Sequence, residues 1–210
     1  MSMTALEDRQ LRADAARNVE RILRAARAVY SELGPDAAME TVAHRAGVGE
    51  RTLYRRFPTK GDLVRAALDQ CIAEDLTPAI DNARGSKDAL RGLTQLIEAA
   101  ISLGAHNQNL LIAAQRAGSL TADISDSLND ALNELVRGGQ GAGAVRADLV
   151  AEDILRLIAM LYSVLSTMDP DSDGWRRYVA LILDAISTGE RQPLPPAAPY
   201  YMSEPDSWPL

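Results

Sequence analysis

The sequence has few of the residues on which catalytic and metal sites usually depend. Its 210 residues include one cysteine, Cys71, and two histidines. A single cysteine excludes an internal disulfide and fits a reducing cytoplasm, and its apolar helical neighbours predict a buried structural thiol. No CxxC or HExxH pair, glycine-rich phosphate loop or Ser-His-Asp spacing stands out. The sequence therefore predicts no catalytic residue, no metal site and no bound cofactor.

Long apolar runs and aromatic residues are also scarce. No stretch of 18 apolar residues occurs, so we expect no membrane span, and the first residues lack the apolar block of a secretory signal. Aromatic residues make up 4% of the chain, whereas 47% of its residues are hydrophobic. Ala, Leu and Arg dominate and long β-branched runs are missing, which favours helices. We therefore expect an all-α protein with a proper core.

The formal net charge of −7 hides an uneven distribution along the chain. Residues 1–68 contain 12 Lys+Arg and 9 Asp+Glu, whereas residues 69–210 contain 10 and 20. Within residues 45–65, six basic side chains stand against two acidic ones. A basic module that meets nucleic acid, joined to an acidic body, is the better description. Because 20 of the 22 basic residues are Arg, a single Arg is weak support for phosphate recognition.

One stretch, VAHRAGVGERTLYRRFPTK from Val42 to Lys60, has the form of two short helices joined by a tight turn. Gly47 stands where the first helix would end with a positive φ. Leu53 and Phe57 lie four apart, on the side that a second helix would bury. The pattern predicts helices over about 39–46 and 50–57. A short second helix with a basic outward face suits the major groove of DNA.

Residues 18–68 resemble the N-terminal DNA-binding domain of the TetR (tetracycline repressor) family of bacterial regulators. Family members carry a stretch similar to VAxxAGVSxGTLYxHFxxKxxL, and this sequence has VAHRAGVGERTLYRRFPTKGDL. Gly49 replaces the usual Ser, which removes a helix cap at a cost of about a few tenths of a kcal/mol. Arg51 and Arg56 replace a common Gly and His, and both add charge to the face that would meet DNA. We expect these three departures to affect which operator sequence the protein prefers.

The resemblance implies a three-helix helix-turn-helix domain that binds DNA. The candidate DNA-contacting residues lie mainly on the basic outward face of the predicted helix over 50–57. Most would contact base edges or phosphates, and Tyr54 and Lys60 would position phosphates. For Tyr54 and the arginine pair the alternative is an ordinary solvated surface. The predicted DNA-binding residues are Arg45, Glu50, Arg51, Thr52, Tyr54, Arg55, Arg56 and Lys60.

Two strongly apolar segments, residues 148–167 and 174–188, end the helical part of the chain. Apolar side chains surround most of each segment, and a helix of this kind must be buried on both sides. Similar segments in TetR-like proteins form a dimeric four-helix bundle, so the resemblance implies a homodimer through the last two helices. The alternative is a core pair buried within one chain. The predicted interface residues are Ile154, Ile158, Leu161, Leu165, Trp175, Tyr178, Ile182 and Ile186.

The chain divides into three predicted parts. They are a helix-turn-helix DNA-binding domain over 12–60, a helical effector-binding and dimerisation domain over 61–189, and a Pro-rich tail over 190–210. Residues 1–11 are polar, so fraying is expected. Residues 138–143 contain four glycines, which predicts a flexible connection.

A fourth helix is expected from about Thr59 to Ala79, with Thr59 and Asp62 as its cap. In the family this helix links head to body, and its movement on ligand binding resets the spacing of the two heads. Polar or adaptable side chains in apolar helices are candidates for a small-molecule pocket, although ordinary packing is the alternative for each. They are Gln95, Gln115, Met160 and Tyr162.

The sequence thus predicts a ligand-responsive transcriptional repressor that binds a palindromic operator as a dimer, in the bacterial cytoplasm and associated with the nucleoid. Its expected partners are double-stranded DNA, a second copy and an unknown small-molecule effector, without a membrane. The alternative is a helical ligand-binding or interaction protein that has lost DNA binding, which the missing cap at Gly49 and the acidic body would favour. A helical-bundle enzyme is disfavoured, because neither His44 nor His106 has the companions that catalysis needs.

Overall fold

The computed structural model describes residues 3–119, 122–168 and 173–188, and these ranges are almost entirely α-helical. This confirms the predicted all-α class. The predicted Pro-rich tail, 190–210, lies outside the described residues. In chain order the helices are α1 Met3–Leu33, α2 Met39–Ala46, α3 Glu50–Arg56, α4 Lys60–Cys71, α5 Thr77–Arg84, α6 Ala89–His106, α7 Gln108–Arg116, α8 Ala122–Gly141, α9 Ala151–Val164 and α10 Arg176–Ile186.

The helices form two compact units. The first unit contains α1 to α4 together with α7, and the second contains α5, α6 and α8 to α10. Within the first unit α4 packs on α1, and α7 packs on both. The first unit is therefore larger than residues 12–60, and the chain enters it twice. The functional limits of the predicted domains stay a prediction.

Helix α1 begins at Met3, before the predicted domain boundary at residue 12, and the expected fraying of residues 1–11 stays a prediction. No Gly or Pro interrupts the sequence before Gly34, and nothing in it therefore breaks the helix. The expected long fourth helix is interrupted. It ends at Cys71, and a π-helical turn, Ile72–Leu76, separates it from α5. Pro78 lies in the first turn of α5, where proline needs no hydrogen-bond partner.

Tyr30 lies in the core of the first unit with its side chain fully buried. Its hydroxyl has no hydrogen-bond partner among the described residues. Burial, and then the nearby carboxylate of Asp36, raise the pKa of Tyr30 to about 12. The Nζ atom of Lys60 lies 5.5 Å from the ring centroid, within the range of a cation–π contact.

Replacing Tyr30 with phenylalanine is expected to increase the free energy of unfolding by about 1 kcal/mol, because the change removes an unsatisfied buried hydroxyl and keeps the ring. Urea unfolding at pH 7 measures this. Because the pKa of Tyr30 is raised, the free energy of unfolding should also depend on pH. The wild type should lose stability as the pH rises from about 10 towards 12, since the unfolded phenol ionises first, and Tyr30→Phe should lose less. A less stable Tyr30→Phe variant would show that the hydroxyl has a partner.

In the second unit, Tyr162 joins α9 to α6. Its hydroxyl donates a hydrogen bond to the backbone carbonyl of Ala100, with 2.6 Å between the oxygens. Its ring lies against Gly104, where an added Cβ would be only 2.2 Å from the Cε1 atom of Tyr162. Burial raises the pKa of Tyr162 above its usual value. Gly104 is therefore required for the close approach of these two helices.

Gly104→Ala is expected to destabilise the protein by about 1–3 kcal/mol, because the new methyl group overlaps the Tyr162 ring. Thermal unfolding followed by circular dichroism measures the loss. Gly141→Ala is the matched control, since no atom lies within 4 Å of its added Cβ and alanine favours a helix. Equal unfolding temperatures for Gly104→Ala and the control would contradict the assigned contact.

The glycine-rich stretch 138–143 is not a flexible connection, and that expectation was wrong. Helix α8 continues through Gly141. The side-chain Nε2 of Gln140 lies within hydrogen-bond distance of three carbonyls of the following loop, those of Arg146, Ala147 and Leu149, and its two N–H donors are shared among them. An isolated bridge between Val145 and Ser187 ties the same loop to the end of α10. These long-range bonds hold the loop, and glycine content alone does not reveal them.

Candidate nucleic-acid interface

The predicted helices over 39–46 and 50–57 are present as α2 and α3, joined by a tight turn. Gly47 ends α2 with φ 64°, a conformation that glycine adopts without strain. The backbone N–H of Val48 donates to the carbonyl of Ala43 at 3.0 Å, which closes the turn. Gly49 precedes α3 without any side-chain cap, and its carbonyl accepts the N–H of Leu53 at 3.1 Å. Helix α3 forms although the cap is missing.

Two buried side chains fix the orientation of α3. Leu53 and Phe57 are 0% and 6% exposed, so the remaining positions face outward. Of the predicted DNA-binding residues on this helix, Thr52 is half-buried and the others are exposed, namely Glu50, Arg51, Tyr54, Arg55 and Arg56. The three arginines have no ion-pair partner among the side chains that the structure describes. Their guanidinium groups are therefore available to an external anion.

Part of this face borders a groove within the first unit. The groove has a volume of about 850 Å³, and Thr52, Arg55 and Arg56 of α3 line it together with Gln70 of α4 and one side of α1. Both arginines thus lie where α3 and α1 present a common surface. The positive charges of Arg55 and Arg56 at the edge of this groove would attract the phosphate backbone of DNA.

Arg45 is engaged within the protein. Its Nη1 and Nη2 atoms donate to the two carboxylate oxygens of Glu32 at 2.9 and 2.5 Å, and this pair joins the ends of α2 and α1. The hydrogen bond from Arg45 lowers the pKa of Glu32. A guanidinium has five N–H donors, so Arg45 keeps donors for a further partner while it is paired with Glu32, a pair that the sequence did not indicate.

Tyr54 is also engaged. Its hydroxyl donates to the Oε1 atom of Glu40 at 2.5 Å, which joins α3 to the first turn of α2. The same contact raises the pKa of Tyr54 above its usual value. Sequence reasoning missed Glu40 and Glu32. Each lies 13 or 14 positions from its partner, and no helical periodicity connects residues so far apart.

The predicted cap at the start of α4 is confirmed. The backbone N–H and hydroxyl of Thr59 donate to Asp62 Oδ2 at 3.0 and 2.7 Å, and the N–H of Asp62 donates back to Thr59 Oγ1 at 3.1 Å. Lys60 is the first residue of the helix, where backbone N–H groups and the helix dipole favour an anion. Its side chain is half-buried over the Tyr30 ring.

The predicted dimer residues fall into two groups. Tyr178 is exposed and Ile182 half-buried, whereas the other six are buried within their own unit: Ile154, Ile158, Leu161, Leu165, Trp175 and Ile186. The exposed large apolar side chains of α9 and α10 are Met160, Val164, Tyr178 and Leu181, with exposed fractions of 65%, 37%, 38% and 43%, and of these four only Tyr178 was predicted. An interface would therefore use mainly residues that the sequence reasoning did not select.

The four predicted pocket residues differ in their surroundings, and their role in a pocket stays a prediction. Gln115 belongs to the first unit, and Met160 is exposed on α9. The hydroxyl of Tyr162 is already bonded to Ala100. Gln95 alone of the four lines a groove of the second unit, which has a volume of about 510 Å³ and includes Asn82, Ser86 and Arg91.

Among the described residues, no group of His, Cys, Asp and Glu could hold a metal ion. Nor is any helix that the structure describes long and apolar enough to cross a membrane.

The turn at Gly47 and the exposed arginines of α3 define a helix-turn-helix protein. The sequence model of the bacterial regulatory proteins of the tetR family matches residues 22–67, and the model of the C-terminal domain of SbtR-like transcriptional regulators matches residues 63–187. The chain belongs to the TetR family of bacterial regulatory proteins. It is therefore a transcriptional regulator and not an enzyme, with a helix-turn-helix DNA-binding domain and a helical ligand-binding domain.

Solved structures agree with this assignment. A TetR transcriptional regulator from Streptomyces coelicolor is 29% identical with a TM-score of 0.57, and the match covers 80% of this chain and 98% of that chain. One from Mycobacterium vanbaalenii is 27% identical with a TM-score of 0.59, over 85% and 99% of the two chains. The regulator LfrR from Mycobacterium smegmatis, solved in complex with proflavine, shares the fold at 22% identity and a TM-score of 0.55, over 81% and 94%. No curated protein matches the sequence.

Proposed function

We propose that the protein is a repressor that binds a palindromic DNA operator as a homodimer and releases it when a small molecule binds the second unit. The observation that carries the proposal is the set of three exposed arginines on α3, which have no ion-pair partner among the described side chains. Arg51, Arg55 and Arg56 would contact base edges or phosphates, with Glu50 and Thr52 beside them. Tyr54, Lys60 and Arg45 would contact the backbone.

Exposed apolar side chains on α9 and α10 support the homodimer. Met160 and Val164 on α9, and Tyr178 and Leu181 on α10, are large apolar side chains that remain exposed, and burial of exposed apolar side chains drives association between chains. A two-fold pair of heads would place two α3 helices in major grooves about one helical turn, or about 34 Å, apart. Because a two-fold axis relates the two heads, the DNA site that they bind is expected to be palindromic.

The effector would act by binding one conformation of the dimer more tightly than the other. The groove that contains Gln95 supports a site on the second unit, because its volume of about 510 Å³ falls in the range of small-molecule sites, about 300–1,000 Å³. Asn82 and Arg91 add hydrogen-bond donors there. The proflavine complex concerns LfrR only and does not identify the effector of this chain.

A binding selection tests the proposed function. The wild-type protein is incubated with random duplex DNA, the bound duplexes are sequenced, and the affinity for the enriched duplex is measured at 50 and 200 mM salt. We expect an inverted repeat and an affinity that falls by about 10³–10⁵ if six to ten phosphates are contacted. Failure to enrich a duplex, or binding insensitive to salt, would favour a protein that has lost DNA binding.

A further inference from the structure

Glu40 lies beside the hydrogen-bond donor that the proposed interface needs at Tyr54. The side chain of Tyr54 is 40% exposed on α3, so its hydroxyl is accessible from solvent. That hydroxyl donates to Glu40 Oε1 at 2.5 Å. Glu40 is itself exposed. The contact therefore lies on the surface of the helix-turn-helix, between its two helices.

The position of Glu40 stabilises its negative charge. It is in the first turn of α2, whose preceding residue, Ala38, provides no side-chain cap. A carboxylate there complements the helix dipole. The hydrogen bond from Tyr54, and then one from the backbone N–H of Glu40 itself, hold the pKa of its carboxyl below the usual value. Glu40 is therefore a carboxylate at neutral pH.

Tyr54 and Arg45 differ in how many partners they can serve. A guanidinium has five N–H donors, so Arg45 can keep its bond to Glu32 and still donate to a phosphate. A phenol has one O–H, so Tyr54 donates either to Glu40 or to a phosphate. The carboxylate would also repel a phosphate placed close to it.

We propose that Glu40 competes with a DNA phosphate for the hydroxyl of Tyr54 and thereby weakens DNA binding, an inference that rests on the proposed function. Free protein keeps the bond between Tyr54 and Glu40. Binding with a phosphate at Tyr54 requires that bond to break and the carboxylate to turn away. Glu40 thus sets the affinity of the head without contacting a base.

The test is a double-mutant cycle with Glu40→Ala, Tyr54→Phe and the combined variant, on the duplex enriched by the wild type. Glu40→Ala is expected to bind about threefold to tenfold more tightly, because the hydroxyl of Tyr54 no longer has to leave Glu40 before it donates to a phosphate. Tyr54→Phe alone is expected to bind more weakly than the wild type, because its phosphate contact is lost. The combined variant should bind no more tightly than Tyr54→Phe, because the hydroxyl that would contact the phosphate is missing.

Every other outcome contradicts the proposal that Glu40 competes with a DNA phosphate for the hydroxyl of Tyr54. If Glu40→Ala binds more weakly than wild type or equally, Glu40 positions Tyr54 or has no role. If the gain persists in the combined variant, general charge repulsion explains it. Glu40→Gln removes the charge but keeps an acceptor for the hydroxyl, so it should gain less affinity than Glu40→Ala, and an equal gain would show that the charge alone acts. Glu40→Leu, which has no acceptor, is the second variant if Glu40→Ala unfolds.

The same duplex separates this inference from the proposed function. Wild-type protein and Arg55→Ala are titrated beside the Glu40 variants. If the wild type binds and depends on Arg55, but no Glu40 variant binds more tightly, only the competition is wrong. If no variant binds DNA, the proposed function is wrong and the competition falls with it.

Discussion

Arg55→Ala is expected to weaken operator binding by about tenfold to a hundredfold, corresponding to about 1–3 kcal/mol. Arg55 is exposed on α3, has no ion-pair partner among the described side chains and lines the groove between α3 and α1. Its guanidinium would lose a charge-assisted contact in the complex while the free protein loses none. Fluorescence anisotropy with labelled duplex measures the change.

A matched arginine on the second unit controls for the lost charge. Arg137 is exposed on α8, so Arg137→Ala removes the same group from the acidic unit and should leave the affinity unchanged. Lys60→Ala should also weaken binding, with a salt slope lower by about one, because a phosphate contact is lost. Wild-type affinity for Arg55→Ala would mean that the exposed face of α3 is not the reading surface.

Leu181→Glu and Met160→Glu are each expected to convert the proposed dimer to a monomer and to lower operator affinity by about 10²–10⁴, because the second head no longer binds as part of the same molecule. Leu181 on α10 and Met160 on α9 are both exposed apolar side chains. A charge in the buried centre of an interface has no partner there and is costly. Sedimentation velocity measures the mass, and anisotropy measures the affinity.

Leu33→Glu is the control for this pair. Leu33 is 58% exposed at the end of α1 in the first unit, so the change adds the same charge at an exposed apolar position away from the proposed interface. Sedimentation should show the same mass for it as for the wild type. Monomeric Leu33→Glu, or dimeric Leu181→Glu and Met160→Glu, would exclude the last two helices as the interface.

The helix-turn-helix could be predicted from the sequence because short-range signals determine it. A positive-φ glycine at position 47, the four-residue spacing of Leu53 and Phe57, and the reciprocal cap of Thr59 and Asp62 act over a few residues. The structure contains each of them. Their agreement within one stretch made the family resemblance specific.

The second unit was less predictable because its helices are apolar on more than one side. Periodicity shows that α9 has several apolar stripes, but packing decides which stripe meets its own core. Ile154 and Ile158 are buried there, while Met160 remains exposed. A pocket also depends on which helices meet, and Gln115 falls in the other unit. Such contacts join residues far apart in the chain, and one sequence does not report them.

The chain returns to the first unit at α7. This limits how the first unit can be transferred to a chimeric regulator. Leu110, Ala113 and Ala114 of α7 are buried, and Arg116 bonds to both carboxylate oxygens of Asp36 at 3.0 Å. A fragment that ends at Cys71 lacks these side chains and leaves their apolar contact surface open to water. A chimera that joins the first unit to another ligand-binding domain therefore requires two junctions in the chain. A chimera with a single junction would lack α7 and leave the first unit incomplete.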